Sequence, residues 1–194
     1  SNNTAHCIAM SRVASSLGAS ALLVVTPYYN KCTQQGLVAH YTAVADASSV
    51  PVIVYNVPSR TGVDASVETY RTLSRHPNIN GVKEASPLAA KTAQTISACG
   101  DEFFVWSGND NLAVPMMSLG AKGLISVLSN VRPKQTVEMM NACFEGNFRY
   151  AGKIQIKLTP LIEALFCEVN PIPVKKAMEL IGLDAGLPRL PLTP

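Results

Sequence analysis

The chain has 194 residues, of which 47% are hydrophobic and 15% are charged, and its formal net charge is +3. This composition excludes an intrinsically disordered chain and is ordinary for one globular domain with a sizeable core. Lysine and arginine form no basic stripe, and no apolar run is long enough to cross a bilayer. We therefore expect no nucleic-acid partner and no membrane partner, but a small-molecule one.

Cysteine and histidine are also sparse. The five cysteines lie far apart, and an odd number without a C-x-x-C pair argues against a disulfide framework and against a zinc site. The histidines His6, His40 and His76 are scattered, so we expect no metal. The first residues lack the order of a signal peptide, and with reduced thiols this favours a cytoplasmic protein.

The first 130 residues alternate short apolar runs with longer helical segments. Thr4–Leu17 predicts an opening helix. The predicted strands are Ala21–Val25, Val52–Tyr55, Gly81–Glu84, Phe103–Ser107 and Gly123–Val127. The predicted helices between them are Thr33–Ala47, Ala65–Arg75, Ala89–Cys99 and Asn111–Leu119. Mostly apolar, often β-branched strands of this kind indicate a parallel α/β architecture with strands buried on both faces.

The pattern changes after residue 130. Three segments with helical spacing follow one another without a strand, and Pro133 suits the first turn of the first helix. We therefore divide the chain into an α/β region at residues 1–130 and a C-terminal helical segment at residues 131–194.

The strand segment Gly81–Ala85 carries a lysine, Lys83. A charged lysine on a buried strand is costly, so it must be paired, neutral or near the open end of the strand. A neutral amine attacks ketones, which is the chemistry of a Schiff-base lysine. The alternative is a lysine that is paired with a carboxylate and has no catalytic role.

The loop that follows the preceding strand, Val54–Gly62, contains Tyr55 and Arg60. Since the carboxyl ends of parallel strands meet at one edge, we expect Tyr55 beside Lys83. A phenol there can relay protons, and an arginine can bind a carboxylate through two parallel hydrogen bonds. Taken singly, core packing would explain Tyr55 and a solvated loop charge would explain Arg60.

The segment Gly108–Asn111 could suggest a phosphate-binding loop. It lacks the Gly-Lys-Ser/Thr ending of such loops, so helix capping by Asp110 or Asn109 is the better interpretation.

These segments together resemble the dihydrodipicolinate synthase / N-acetylneuraminate lyase family, and the similarity covers nearly the whole chain. The matching segments are Val25–Tyr29, Tyr55–Pro58, Gly81–Ala85, Ser107–Gly108, Gly123–Val127 and Asn170–Lys175. The continuation Ser59–Gly62 is the synthase form, because lyases and sugar-acid aldolases of this family generally lack an arginine there. The resemblance implies a (β/α)₈ TIM barrel, of which this chain has strands 4–8, followed by a C-terminal helical appendix.

The resemblance also implies an activity. Members with this motif condense pyruvate with aspartate 4-semialdehyde to 4-hydroxy-tetrahydrodipicolinate, in lysine and diaminopimelate biosynthesis. Lys83 matches the lysine that forms the imine, so no further cofactor is expected. Tyr55 matches the nearby proton relay, and Tyr29 matches a tyrosine that reaches into a neighbouring subunit, which implies a homodimer or homotetramer.

Further residues match binding positions of the family. Arg60 matches the arginine that binds the carboxylate of aspartate semialdehyde, while Ile125, through its backbone carbonyl, and Gly108 match substrate-pocket positions. The lysine feedback site of regulated members corresponds to Asn2 and Tyr28, with His6 where such members often carry glutamate. We therefore expect only weak inhibition by lysine.

The resemblance begins just after the third strand of the family's barrel. The first three strands, a glycine-rich loop with paired threonines, and the final helix have no counterpart here. We expect the chain to belong to a longer polypeptide. The alternatives are a truncated, non-catalytic subunit and an aldolase for another 2-keto acid.

Overall fold

The computed structural model describes residues 1–194, in which four strands form one parallel sheet in the order β1-β2-β3-β4. The strands are β1 Leu22–Val25, β2 Val52–Asn56, β3 Ile79–Glu84 and β4 Phe104–Ser107. The accompanying helices are α1 Thr4–Ser16, α2 Gln34–Asp46, α3 Pro58–Thr61, α4 Val67–Leu73, α5 Ala90–Cys99 and α6 Ala113–Ser118. Three helices follow, α7 Pro133–Phe144, α8 Phe148–Leu165 and α9 Ile172–Leu180. The predicted parallel α/β architecture is confirmed.

The predicted fifth strand at Gly123–Val127 is wrong as an extended element. Only a single bridge joins Leu124 to Ser107, flanked by two backbone hydrogen bonds of 2.9 Å, from the Ser107 N–H to the Gly123 carbonyl and from the Ile125 N–H to the Ser107 carbonyl. The chain then leaves the sheet, because the backbone of Val127 is already helical and a 3₁₀ turn begins at Leu128. Residues 123–125 nevertheless lie beside β4, in the place that a fifth strand of the sheet would occupy.

The sheet is covered on one face only. Val54 and Val82 are fully buried under the helices, whereas Tyr55 and Lys83, which point the other way, are half-buried and Leu23 is 45% exposed. The prediction that the strands are buried on both faces is therefore wrong for this structure. The helices α2 and α4 add their apolar side chains to the same core as Val54 and Val82, which leaves the second face open.

Local sequence signals set the helix ends. Asn3, Thr33 and Ser66 each begin a helix by accepting a hydrogen bond from a backbone N–H three residues later. Gly18 and Gly120 follow helices in left-handed conformations, with φ of 88° and 102°. Thr33 thus caps the helix after β1, and Gly18 ends the helix before it.

Close approach between β3 and β4 requires a glycine at position 81. A Cβ atom at Gly81 would lie 2.0 Å from the backbone oxygen of Phe104, which no side chain tolerates. This contact brings β3 and β4 together two residues before Lys83.

Two apolar clusters hold the chain together. The larger has 27 buried residues and includes Met139 and Met140 of α7, so the first helix of the predicted C-terminal segment packs on the α/β core. The smaller cluster joins α8 and α9 to the 3₁₀ turn at Leu128–Asn130. The boundary at residue 130 stays a prediction. None of the helices combines the length and apolar character needed to cross a membrane.

Candidate active site

One row of residues crosses the carboxyl ends of the strands on the open face. Val25 pairs with Tyr55, Tyr55 with Lys83, and Lys83 with Trp106, and all four are half-buried. The Nζ atom of Lys83 lies 4.3 Å from the centroid of the Tyr55 ring. The structure thus brings together the amine and the phenol that the sequence analysis singled out.

The electrostatic surroundings favour a reactive amine. Burial lowers the pKa of Lys83 because the ammonium form loses hydration, while the carboxylate of Asp110 acts in the opposite direction. Burial raises the pKa of Tyr55, and Arg60 partly offsets that increase. Lys83 takes part in none of the five salt bridges of the chain, so the alternative of a carboxylate-paired lysine is not observed.

Glu84 lies on the other face of the strand and is only 2% exposed. Its carboxylate accepts hydrogen bonds of 2.8 Å from the Asn56 amide, from the Tyr70 hydroxyl and from the Ser86 backbone N–H. The ammonium group of Lys91 lies 3.2 Å from the same carboxylate. These donors come from β2, α4, α5 and the loop after β3, so the end of β3 is held from several sides.

The polar network extends to the loop after β2. Asp64 accepts hydrogen bonds of 2.5 Å from the Lys91 ammonium and 2.7 Å from the Asn56 side chain. The side-chain oxygen of Asn56 (Oδ1) accepts a hydrogen bond in turn from the Ala65 backbone N–H. The sequence analysis did not predict the role of Glu84 and its partners. A carboxylate next to a strand lysine, with Lys91 in the following helix, could have indicated a buried ion pair.

Asp110 has a role other than the predicted one. Neither Asp110 nor Asn109 caps the 3₁₀ helix that begins there. The buried Asp110 carboxylate accepts instead from the Ser126 hydroxyl and from the N–H groups of Val127 and Leu128. The capping interpretation is wrong because these donors lie 16 to 18 residues further along the chain, beyond the range of local patterns.

Arg60 lies in the short helix after β2. One guanidinium nitrogen donates a hydrogen bond of 3.1 Å to the backbone carbonyl of Asn170, in the loop before α9. Arg60 is exposed, so its other N–H groups can reach a ligand. The arginine is thus held at the rim of the open face.

Gly108 and Ile125 lie at neighbouring strand ends. The Gly108 N–H donates to the Glu84 carbonyl at 2.7 Å, and a Cβ atom at Gly108 would meet the Ala85 Cβ at 2.7 Å. Ile125 is tied to Ser107 through its N–H. Both residues therefore lie where the loops after β3 and β4 converge.

Tyr29 lies apart from this group. Its side chain is 89% exposed, and its backbone adopts φ of 73°, which is strained for a tyrosine. No residue of this chain covers the ring. Within a single chain, the structure does not bring Tyr29 together with Lys83 and Tyr55.

The predicted feedback-site residues fall near a cavity of about 550 Å³ between α1 and β1. His6 and Tyr28 both line it, together with Ser1, Met10 and Leu23. Asn2 does not line it, but its carbonyl accepts a hydrogen bond from the Asn30 side chain. No group of three or more histidine, cysteine, aspartate or glutamate residues is arranged to hold a metal ion.

The fold and site define a parallel α/β protein with a lysine of lowered pKa at the carboxyl ends of its strands. Residues 1–194 match the model of the dihydrodipicolinate synthetase family, and the chain belongs to that family.

Individual relatives agree with this assignment. The 4-hydroxy-tetrahydrodipicolinate synthase of Exiguobacterium sibiricum is 53% identical over 191 residues, which are 98% of this chain and 65% of that protein. The pyruvate-complexed, chloride-inhibited dihydrodipicolinate synthase of Acinetobacter baumannii is 45% identical with a TM-score of 0.96 over 100% of this chain and 66% of its own.

The third relative, also of known structure, is described as the first monomeric dihydrodipicolinate synthase variant. It is 43% identical, with a TM-score of 0.97 over 100% of this chain and 66% of that one. The chain thus spans about two thirds of the length of the relatives it matches, 65% for the Exiguobacterium protein.

Replacing Lys91 tests the buried network. Lys91→Ala leaves the Glu84 carboxylate buried without its cation, so we expect the free energy of unfolding to fall by about 3–5 kcal/mol. The matched control is Lys176→Ala, since Lys176 pairs with Glu179 on the surface and should contribute no more than about 1 kcal/mol. Urea unfolding followed by circular dichroism measures both, and equal losses would contradict the role given to the network.

Proposed function

We propose that this chain carries the Schiff-base site of a class I lyase that condenses pyruvate with aspartate 4-semialdehyde to 4-hydroxy-tetrahydrodipicolinate. The observation that carries the proposal is the Lys83 amine on the open face, 4.3 Å from the Tyr55 ring and with a pKa lowered by burial. The Exiguobacterium relative, a 4-hydroxy-tetrahydrodipicolinate synthase, and the pyruvate complex of the Acinetobacter relative support it. We further propose a (β/α)₈ barrel for the complete fold and a cytoplasmic location.

The proposed mechanism needs no cofactor beyond the imine. The Lys83 amine attacks the ketone carbon of pyruvate, and loss of water from the carbinolamine gives the imine. Loss of a methyl proton then gives an enamine, whose carbon attacks the aldehyde of the second substrate. The amino group of that substrate displaces Lys83 and closes the ring. Tyr55, a phenol whose pKa is raised by burial, transfers protons at these steps.

Borohydride trapping tests the role of Lys83. Pyruvate followed by borohydride should add one reduced pyruvyl group to the folded protein, and peptide mass spectrometry should find it on Lys83. Lys83→Arg keeps the positive charge but forms no imine, so it should remain unmodified. The full-length Exiguobacterium relative serves as the positive control. Trapping on that relative but none on this folded chain would favour the alternative of a non-catalytic subunit.

Arg60 is proposed to bind the carboxylate of the aldehyde substrate. Arg60→Ala should leave pyruvate trapping at Lys83 unchanged and raise the KM for aspartate semialdehyde by about tenfold or more, since a charged hydrogen bond is lost. Arg60→Lys keeps the charge without the planar fork and should give an intermediate KM. Turnover of sugar-derived aldehydes alone by the unmodified protein would instead identify an aldolase for another 2-keto acid.

Tyr29 is proposed to complete the proton relay of a neighbouring subunit, because its exposed ring has no partner within the chain. Tyr29→Phe and Lys83→Ala should each be inactive alone. Mixed and reassociated at random, they should recover roughly a quarter of the activity of the unmodified dimer, since about half of the dimers are mixed and one of the two sites in each mixed dimer is intact. Failure to recover activity, with mixed oligomers present by native mass spectrometry, would contradict relay in trans. The monomeric relative makes the oligomeric state the first quantity to measure.

Inhibition by lysine is proposed to be weak because His6, and not a carboxylate, lines the cavity that Tyr28 also lines. A carboxylate would attract the lysine ammonium groups, and an imidazole does not. His6→Glu should therefore increase sensitivity to lysine. Inhibition of the unmodified protein by low-micromolar lysine would contradict this proposal.

A further inference from the structure

We infer that Asp110 is a positioning residue for the lysine chemistry, because it fixes the turn at residues 126–128, which directly follows Ile125 at the carboxyl ends of the strands. The inference rests on the proposed imine chemistry and adds a residue to it. It assigns a function to a buried carboxylate that the mechanism otherwise leaves unused.

The hydrogen bonds of Asp110 hold the turn at residues 126–128 in place. Its carboxylate is buried, with one oxygen accepting from the Ser126 hydroxyl at 2.5 Å and the other from the N–H groups of Val127 at 3.0 Å and Leu128 at 3.1 Å. Ser126 also accepts from the Ser129 N–H at 2.9 Å, so it links Asp110 to the 3₁₀ turn. Acceptance at both oxygens is the pattern of an ionised carboxylate.

The position of this carboxylate connects two strand ends. Asp110 follows β4, whose Trp106 is the register partner of Lys83. The turn that it holds follows Ile125, which is bonded to Ser107 at the end of the same strand. Because the segment after Ile125 leaves the sheet, Asp110 supplies the restraint that an extended strand would otherwise provide. The backbone carbonyl of Ile125 therefore has a fixed position relative to Lys83.

The second proposed role of Asp110 is an electrostatic effect on Lys83. The charged or titratable groups on the Lys83 side are Tyr55 on β2, Arg60 in α3 and Asp110 after β4. Glu84 and its partners Lys91 and Tyr70 occupy the helix-covered side. Asp110 is thus the carboxylate that acts on Lys83. A fixed negative charge there stabilises a protonated imine, which is the cationic intermediate of the reaction.

The sign of the charge effect can be measured. The Asp110 carboxylate raises the pKa of Lys83 against the effect of burial, so removing that charge lowers the pKa and makes the amine neutral at lower pH. Loss of hydrogen bonding without loss of charge does not move this titration. Charge and geometry can therefore be separated by two variants.

The experiment is the rate of pyruvate trapping by borohydride at Lys83 as a function of pH and of pyruvate concentration. Asp110→Asn should move the midpoint of the pH profile to lower pH and slow trapping at high pH by about tenfold. Ser126→Ala keeps the carboxylate charge, so its midpoint should stay in place while half-saturation by pyruvate rises about fivefold. Asp101→Asn, which removes a charge from an exposed position before β4, should behave as the unmodified protein.

Each outcome separates the two proposals. No trapping by the unmodified protein overturns the proposed function itself. Trapping by the unmodified protein together with an unchanged midpoint in folded Asp110→Asn overturns the inference alone. If Asp110→Asn does not fold, Ser126→Ala decides, and an unchanged half-saturation by pyruvate overturns the positioning role.

Discussion

The buried carboxylate of Glu84 is the constraint on which the site depends. It lies on the covered face of β3 and draws donors from β2, α4, α5 and the following loop to one point. Consecutive residues of a strand point to opposite faces, so anchoring Glu84 inward directs Lys83 outward. The orientation of the Lys83 amine is thus fixed from the covered side of the sheet, opposite the proposed site.

This arrangement separates two uses of charge. On the covered face, Lys91 and Glu84 neutralise each other inside the protein, and their hydrogen bonds offset the cost of burying them. On the open face, Lys83 has no salt-bridge partner, and the Asp110 carboxylate raises its pKa without forming a salt bridge. An amine held in a direct salt bridge would remain an ammonium ion and could not attack a ketone. None of the five salt bridges of the chain involves the proposed nucleophile.

The sequence predicted those features that depend on local pattern. The four strands, the helices between them and the adjacency of Tyr55 and Lys83 follow from hydrophobic runs and from the rule that parallel strand ends meet. The open face did not follow from the apolar pattern, because Val25, Ile53 and Trp106 are apolar although helices cover only the opposite side. It follows instead from the family resemblance, which implies only five of the eight strands of the expected barrel. The role of Asp110 was also hidden, since its donors come from a distant turn whose course depends on leaving the sheet after Ile125.

The hydrogen bond from Arg60 to the Asn170 carbonyl joins residues 110 positions apart in the chain. It attaches the rim of the pocket to the loop that precedes α9, whereas Lys83 is anchored within the sheet. A change in the packing of the last helices would therefore displace Arg60 without moving the amine. Substitutions in the C-terminal helices would in this way reposition the proposed carboxylate-binding group while the proposed nucleophile, anchored in the sheet, stays in place.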